Sequence, residues 1–74
     1  EKNKPSATLF PNPTSNDVTV RMENGTYEGM EVYNVQGKLI LSSNEETIQL
    51  QDHPAGMYFI RIIGVDGMFK IIKN

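Results

Sequence analysis

His53 stands between Asp52 and Pro54, and it is the single histidine in 74 residues. One imidazole beside one carboxylate falls short of the three or more ligands a metal site needs. The pair therefore reads as part of a turn. Ser6, Ser15, Ser42 and Ser43 lack a glycine-flanked nucleophile setting and would share that one histidine as base, so they read as loop serines. Glu45-Glu46 offers two carboxyls, but sequence neighbours on a loop do not flank a substrate from two sides as a paired acid and base must. Gly64-Val65-Asp66-Gly67 spells a GxxG, which clamps phosphate backbones in some RNA-binding domains where it joins helices. Here it joins expected strands and holds an acid, so a hairpin turn is expected. Asn24-Gly25-Thr26 is a formal glycosylation sequon in a turn, read as chance because nothing argues for a eukaryotic secretory route.

Composition narrows the chemistry further. The absence of cysteine excludes disulfides and Cys-based zinc sites, and one histidine excludes a multi-histidine metal centre. A net charge of -2 has the wrong sign for a dedicated nucleic-acid binder. No run of 18 apolar residues exists, so a membrane-embedded helical protein is not expected. Residues 17–52 carry a local balance of -5, whereas from Arg61 onward the balance is +2. No cofactor and no catalysis are expected. The chain begins at Glu1 with no charged-then-apolar leader, and is expected to be a piece of a larger protein. Residues 1–6, polar and holding Pro5, read as the disordered end of a linker, with residues 7–74 as the domain.

What must hold these residues is β structure, because the hydrophobic period is two. Val18, Val20 and Met22 share one face of a strand, with Thr19 and Arg21 opposite. Met30 and Val32, then Leu39 to Leu41, then Thr47 to Leu50, repeat the signature more briefly. In residues 57–63, Tyr58, Ile60 and Ile62 oppose Phe59, Arg61 and Ile63; apolar on both sides except at Arg61, this strand belongs in the middle of its sheet. Residues 68–73 close the chain, with Phe69 and Ile71 on one side and Met68, Lys70 and Ile72 on the other. Asn34-Val35-Gln36-Gly37 and the second glycine turn suit longer hairpin connections, Asn24-Gly25 suits a tight turn, and Pro54-Ala55-Gly56 leads into the long strand. With residues 7–10 as a short first strand, seven antiparallel strands are expected and no helix. That pattern favours a two-sheet sandwich over a small closed barrel. Phe10, Tyr58, Phe59 and Phe69 are expected in the core, Tyr27 and Tyr33 on the surface.

Pro11-Asn12-Pro13 follows the apolar pair Leu9-Phe10 directly. Two prolines restrict their own φ and push Phe10 and Asn12 out of the helical region. A stiff bend is expected, closed by Asn12 bonding its own backbone and passing the chain from one sheet to the other.

Leu9-Phe10-Pro11-Asn12-Pro13-Thr14-Ser15 followed by Asp17-Val18-Thr19-Val20 resembles the opening of the type A C-terminal sorting domains of the Bacteroidetes type IX (Por) secretion system. Residues 32–39, with Gly37 in their turn, resemble that family's middle motif. Residues 54–61, with Gly56 and Tyr58, resemble its third. Lys70-Ile71-Ile72-Lys73 is similar to its basic-apolar-apolar-basic ending, although Asn74 follows here. The resemblance implies an immunoglobulin-like sandwich and a secretion signal fused behind an N-terminal cargo. It further implies outer-membrane secretion machinery and a sortase-like cysteine peptidase as partners. The route would run through the periplasm to the cell surface or beyond, with a cut in or before residues 1–6. Pro11, Asn12, Pro13, Gly37, Gly56, Tyr58, Lys70, Ile71, Ile72 and Lys73 are the expected signal residues. If the last strand lies at a sheet edge, its unpaired backbone groups are available to a partner and its lysines guard that edge. The alternative function is an accessory immunoglobulin- or fibronectin-like spacer, or a carbohydrate-binding module, of a secreted enzyme.

Overall fold

Val18 and Val20 point the same way because side chains alternate along a strand, and both are buried while Asp17 and Arg21 on either side are exposed and Thr19 between them is half-buried. The same alternation runs through the strands of the computed structural model, which describes residues 4–74, and breaks at Ile40-Leu41, both half-buried against the core. The strands are β1 (Ser6–Phe10), β2 (Asp17–Asn24), β3 (Met30–Tyr33), β4 (Leu39–Ser43), β5 (Thr47–Gln49), β6 (Gly56–Ile62) and β7 (Phe69–Lys73). They form a three-stranded sheet of order β1-β2-β5 and a four-stranded sheet of order β4-β3-β6-β7. All strand pairs are antiparallel. The chain is an all-β immunoglobulin-like sandwich. β6 lies between β3 and β7, the central place its double-sided apolar pattern called for.

The core fills the space between the sheets. Val18, Val20 and Ile48 come from one side, Met30, Val32, Tyr58, Ile60, Ile62 and Ile71 from the other, and Leu50 closes the layer just after β5. Ala7 and Leu9 of β1 and Phe69 of β7 pack on it half-buried. The aromatic expectation holds only in part. Tyr58 is in the core, Phe59 and Phe69 are half-buried, and Phe10 is 41% exposed, with the Arg21 guanidinium 5.8 Å from its ring centre. Phe10 is the last residue of β1 and its face points to solvent, so a cation over the ring replaces burial. Tyr27 packs half-buried against the core rather than standing on the surface, its hydroxyl donating to the Glu45 carbonyl at 2.6 Å.

Turn chemistry follows the glycines. At the β3–β4 hairpin Gly37 has φ of +83°, a conformation that a Cβ disfavours, and its N–H donates to the Asn34 carbonyl at 2.9 Å. The ladder slips by one residue between Val32 and Tyr33 to accommodate it.

β1 begins at Ser6, one residue before the expected start. Lys4 is held by an ion pair to Asp66 at 3.0 Å, and its carbonyl accepts from the Asn24 amide at 2.9 Å. The rest of the expected linker, residues 1–3, lies outside the described residues.

Candidate functional site

β1 and β2 are neighbours in one sheet, so the proline bend does not pass the chain to the other sheet as expected. Instead residues 11–16 swing out and back, and on the way they lie against the outer edge of β7. The Asn12 side-chain amide donates to the Lys70 carbonyl at 3.0 Å, and its Oδ1 accepts from the Ile72 N–H at 3.1 Å. The Thr14 N–H donates to the Ile72 carbonyl at 2.9 Å, and Thr14's own carbonyl accepts from Asn74 N–H at 2.8 Å. Asn12 thus bonds a distant strand, not its own backbone. Both peptide bonds into Pro11 and Pro13 are cis.

This arrangement overturns the idea of an open edge. β7 is the outermost strand of its sheet, but its outward-facing groups at Lys70, Ile72 and Asn74 are paired with Asn12 and Thr14. A strand whose edge groups are already bonded offers no template for strand addition. Thr14 is 2% exposed, the buried polar residue of this corner, and the sequence gives little hint of it. Its hydroxyl donates to the Asp17 carbonyl and accepts from the Asn16 N–H at 3.1 Å, so burial is compensated. A threonine after a proline bend carries no burial signal by itself; only the packed corner supplies it.

The two terminal lysines differ in kind. The Lys73 ammonium turns under the sandwich and donates to the carbonyls of Leu50 (2.7 Å) and His53, tying β7 to the loop between β5 and β6. It does not decorate the surface as expected. Lys70 is exposed and stands in register with Phe59 on the outer face of the sheet, with no carboxylate within ion-pair range among the described residues. Between them Ile71 is in the core and Ile72 half-buried on the outer side. Tyr58 is buried, its hydroxyl donating to the Pro54 carbonyl and its ring edge-on to His53 at 6.4 Å. Gly56 pairs with Lys73 at the start of β6.

The residues singled out for chemistry do not converge. Glu45 and Glu46 are exposed at the β4–β5 turn, and the Ser43 hydroxyl accepts from the Glu45 N–H at 2.9 Å. Among the described residues no three of His, Cys, Asp and Glu are grouped as metal ligands. The resemblance-bearing segments, by contrast, share one end of the sandwich. Phe10 pairs with Thr19 there, Tyr33 with Phe59, and Gly56 with Lys73. Residues of the Gly37 hairpin and of the Pro54–Gly56 turn line one groove, including Val35, Gln36, Ala55 and Met57. Lys4 and Ser6 lie at the opposite end, beside Asn24 and Asp66.

The family model for the secretion system C-terminal sorting domain matches residues 8–74, from the middle of β1 through the last residue. The chain belongs to that family. No curated protein matches it. The sorting-domain match takes in all seven strands but the first two residues of β1, with the bend, both turns and the final strand. As a type IX C-terminal sorting domain the chain is a secretion signal, and its family implies contact with secretion machinery and a fused cargo. Among the described residues no helix is long and apolar enough to cross a membrane.

Proposed function

We propose that this sorting domain is the non-catalytic transport address of a larger protein, read as a folded unit in the periplasm. The domain directs its cargo across the outer membrane through the type IX machine. A sortase-like cysteine peptidase then removes it in or before residues 1–6, leaving the cargo at the cell surface or released. Residues 7–74 are the address and residues 1–6 the joint. The residues proposed to carry the signal are Pro11, Asn12, Pro13, Gly37, Gly56, Tyr58 and Lys70 to Lys73. Several of these act by building the folded shape: Asn12 and Lys73 hold the edge and underside of β7, and Tyr58 and Ile71 fill the core.

The observation that carries this reading is the family match over residues 8–74. The geometry adds a physical rationale. Lys4 lies at the end of the molecule opposite the Pro11–Thr14 bend, the Gly37 hairpin and the Gly56 turn. A cargo joined there leaves the opposite end unobstructed, and its linker is clear of the surface to be read. The absence of cysteine allows folding without waiting for oxidation.

The test fuses the chain behind a periplasmic reporter in a host with the machinery and in one lacking it. Export in the first alone, with a mature reporter lighter than its precursor by about the mass of the domain, is the expected result. Retention in the periplasm of both hosts would overturn the reading.

A further inference from the structure

We propose that the outer face of the β4-β3-β6-β7 sheet docks a protein partner that lays apolar side chains on Tyr33, Met57 and Phe59 and sets a carboxylate against Lys70. This rests on the sorting reading and names the surface and partner chemistry within it.

The face follows from the register. Glu31 pairs with Arg61, Tyr33 with Phe59 and Leu39, Phe59 with Lys70, and Met57 with Ile72, and paired residues share a side of the sheet. Their neighbours Val32, Ile60 and Ile71 point into the core, so this row points out. No element of the described chain covers it. Leu39 is 47% exposed, Met57 37%, and Met68 52%. Tyr33, Phe59 and Met68, with Val35 from the hairpin, line a continuous shallow groove on it. Tyr33 and Phe59 are half-buried among these exposed side chains, and aromatic and methionine side chains clustered on an uncovered face mark interaction sites more than structural need. The outer face of the other sheet is polar by comparison, with Thr19 bonded to Thr47 and Arg21 to Glu23.

Charge decides the occupant. On the face itself Glu31 is engaged twice, by Arg61 at 3.0 Å and by the Tyr33 hydroxyl at 2.8 Å. Lys70 is left without an ion-pair partner among the described residues, beside an aromatic ring. A complementary partner must therefore bring its own carboxylate together with apolar groups. A second copy docking through this same face would offer only the engaged Glu31. An anionic lipid surface calls for a cluster of cations, and the face has one unpaired. Strand addition at β7 is closed by Asn12 and Thr14, so the face, not that edge, is the accessible part of the terminal strand.

The test uses the reporter fusion in the host carrying the machinery, with Lys70→Glu and Met57→Glu as charge insertions on the face. Lys70→Arg and Gln49→Glu, the latter on the other sheet, are the controls. Each glutamate is expected to cut the exported fraction about tenfold, equivalent to losing one well-buried contact, with an unchanged urea midpoint. Both controls are expected to export normally. Normal export of both face variants, while the parent chain is exported, overturns the docking surface and leaves the sorting reading standing. Failure of the parent chain itself overturns the sorting reading. Sedimentation of the parent chain as a dimer that Met57→Glu dissolves would assign the face to a second copy. Cosedimentation with phosphatidylglycerol vesicles, abolished by Lys70→Glu, would assign it to lipid. Either overturns the proposed partner, and a monomer that ignores vesicles supports it.

Discussion

Thr14 and Lys73 are parallel bridge partners, which sets the proline bend alongside the terminal strand. With Asn12 just ahead of it, Thr14 completes a strap that bonds the outward backbone groups of β7 and blunts an edge that would otherwise invite pairing. The bend at the start of the domain is in this way a structural part of its end.

Asn12→Ala removes both side-chain bonds to β7 and is expected to lower stability by about 1–2 kcal/mol. The groups left behind face solvent, which keeps the loss at this modest level. Urea titration measures it. Amide exchange at Ile72 should quicken more than at Ile60, whose strand is flanked on both sides. Equal protection of Ile72 in parent and variant would show that the strap does not hold the edge.

Lys73→Met should cost roughly 2 kcal/mol, because bonds from a charged donor to two carbonyls are lost. Lys70→Gln should leave the urea midpoint where it was, since Lys70 bonds nothing on the described chain through its side chain. The two lysines of one short motif therefore separate into a residue that holds the fold and one available for contact. Equal midpoints for the two variants would remove that distinction.

Ile71→Ala opens a cavity at a residue 1% exposed, with an expected cost of about 2–5 kcal/mol. On a sandwich this small such a loss approaches the whole stability. Deleting residues 70–74 is then expected to abolish the cooperative unfolding transition, so lost export by that truncation reports lost folding. A truncated chain that still melts cooperatively would contradict the role given to β7.

Acid should weaken the fold through Glu31 and Glu23. The Tyr33 hydroxyl first, then Arg61, hold the Glu31 carboxyl below its usual value of 4.5. For Glu23 the Thr8 hydroxyl contributes first, then Arg21. A lowered folded pKa means the stabilisation is complete above the unfolded value and drains away as pH falls from about 4.5 through the folded one. Both groups are solvated, so the effect is small and shrinks with added salt. The double variant Glu23→Gln, Glu31→Gln should flatten the acid limb of the midpoint-versus-pH curve relative to the parent. Parallel limbs would exclude these two carboxyls as its source.

Much of this protein was legible from its residues alone. Strand number, strand order along the chain and the shared faces Val18 with Val20 and Tyr58 with Ile60 and Ile62 follow from a period of two, a local property of backbone geometry, whereas which face of the long strand turns inward does not. The Gly37 turn and the central place of β6 were equally local, one set by φ and the other by a strand apolar on both sides. The motifs that mark the family were visible as words. What those words do was not. Asn12 reaching Ile72, Lys73 reaching Leu50, the burial of Thr14 and the exposure of Phe10 all depend on which segments become neighbours across long stretches of chain. Pairing between distant segments is chosen by the packing of the whole sandwich, and a local pattern carries no record of it. Only the tertiary structure could turn a proline bend into a strap, and one of two similar lysines into a fastening.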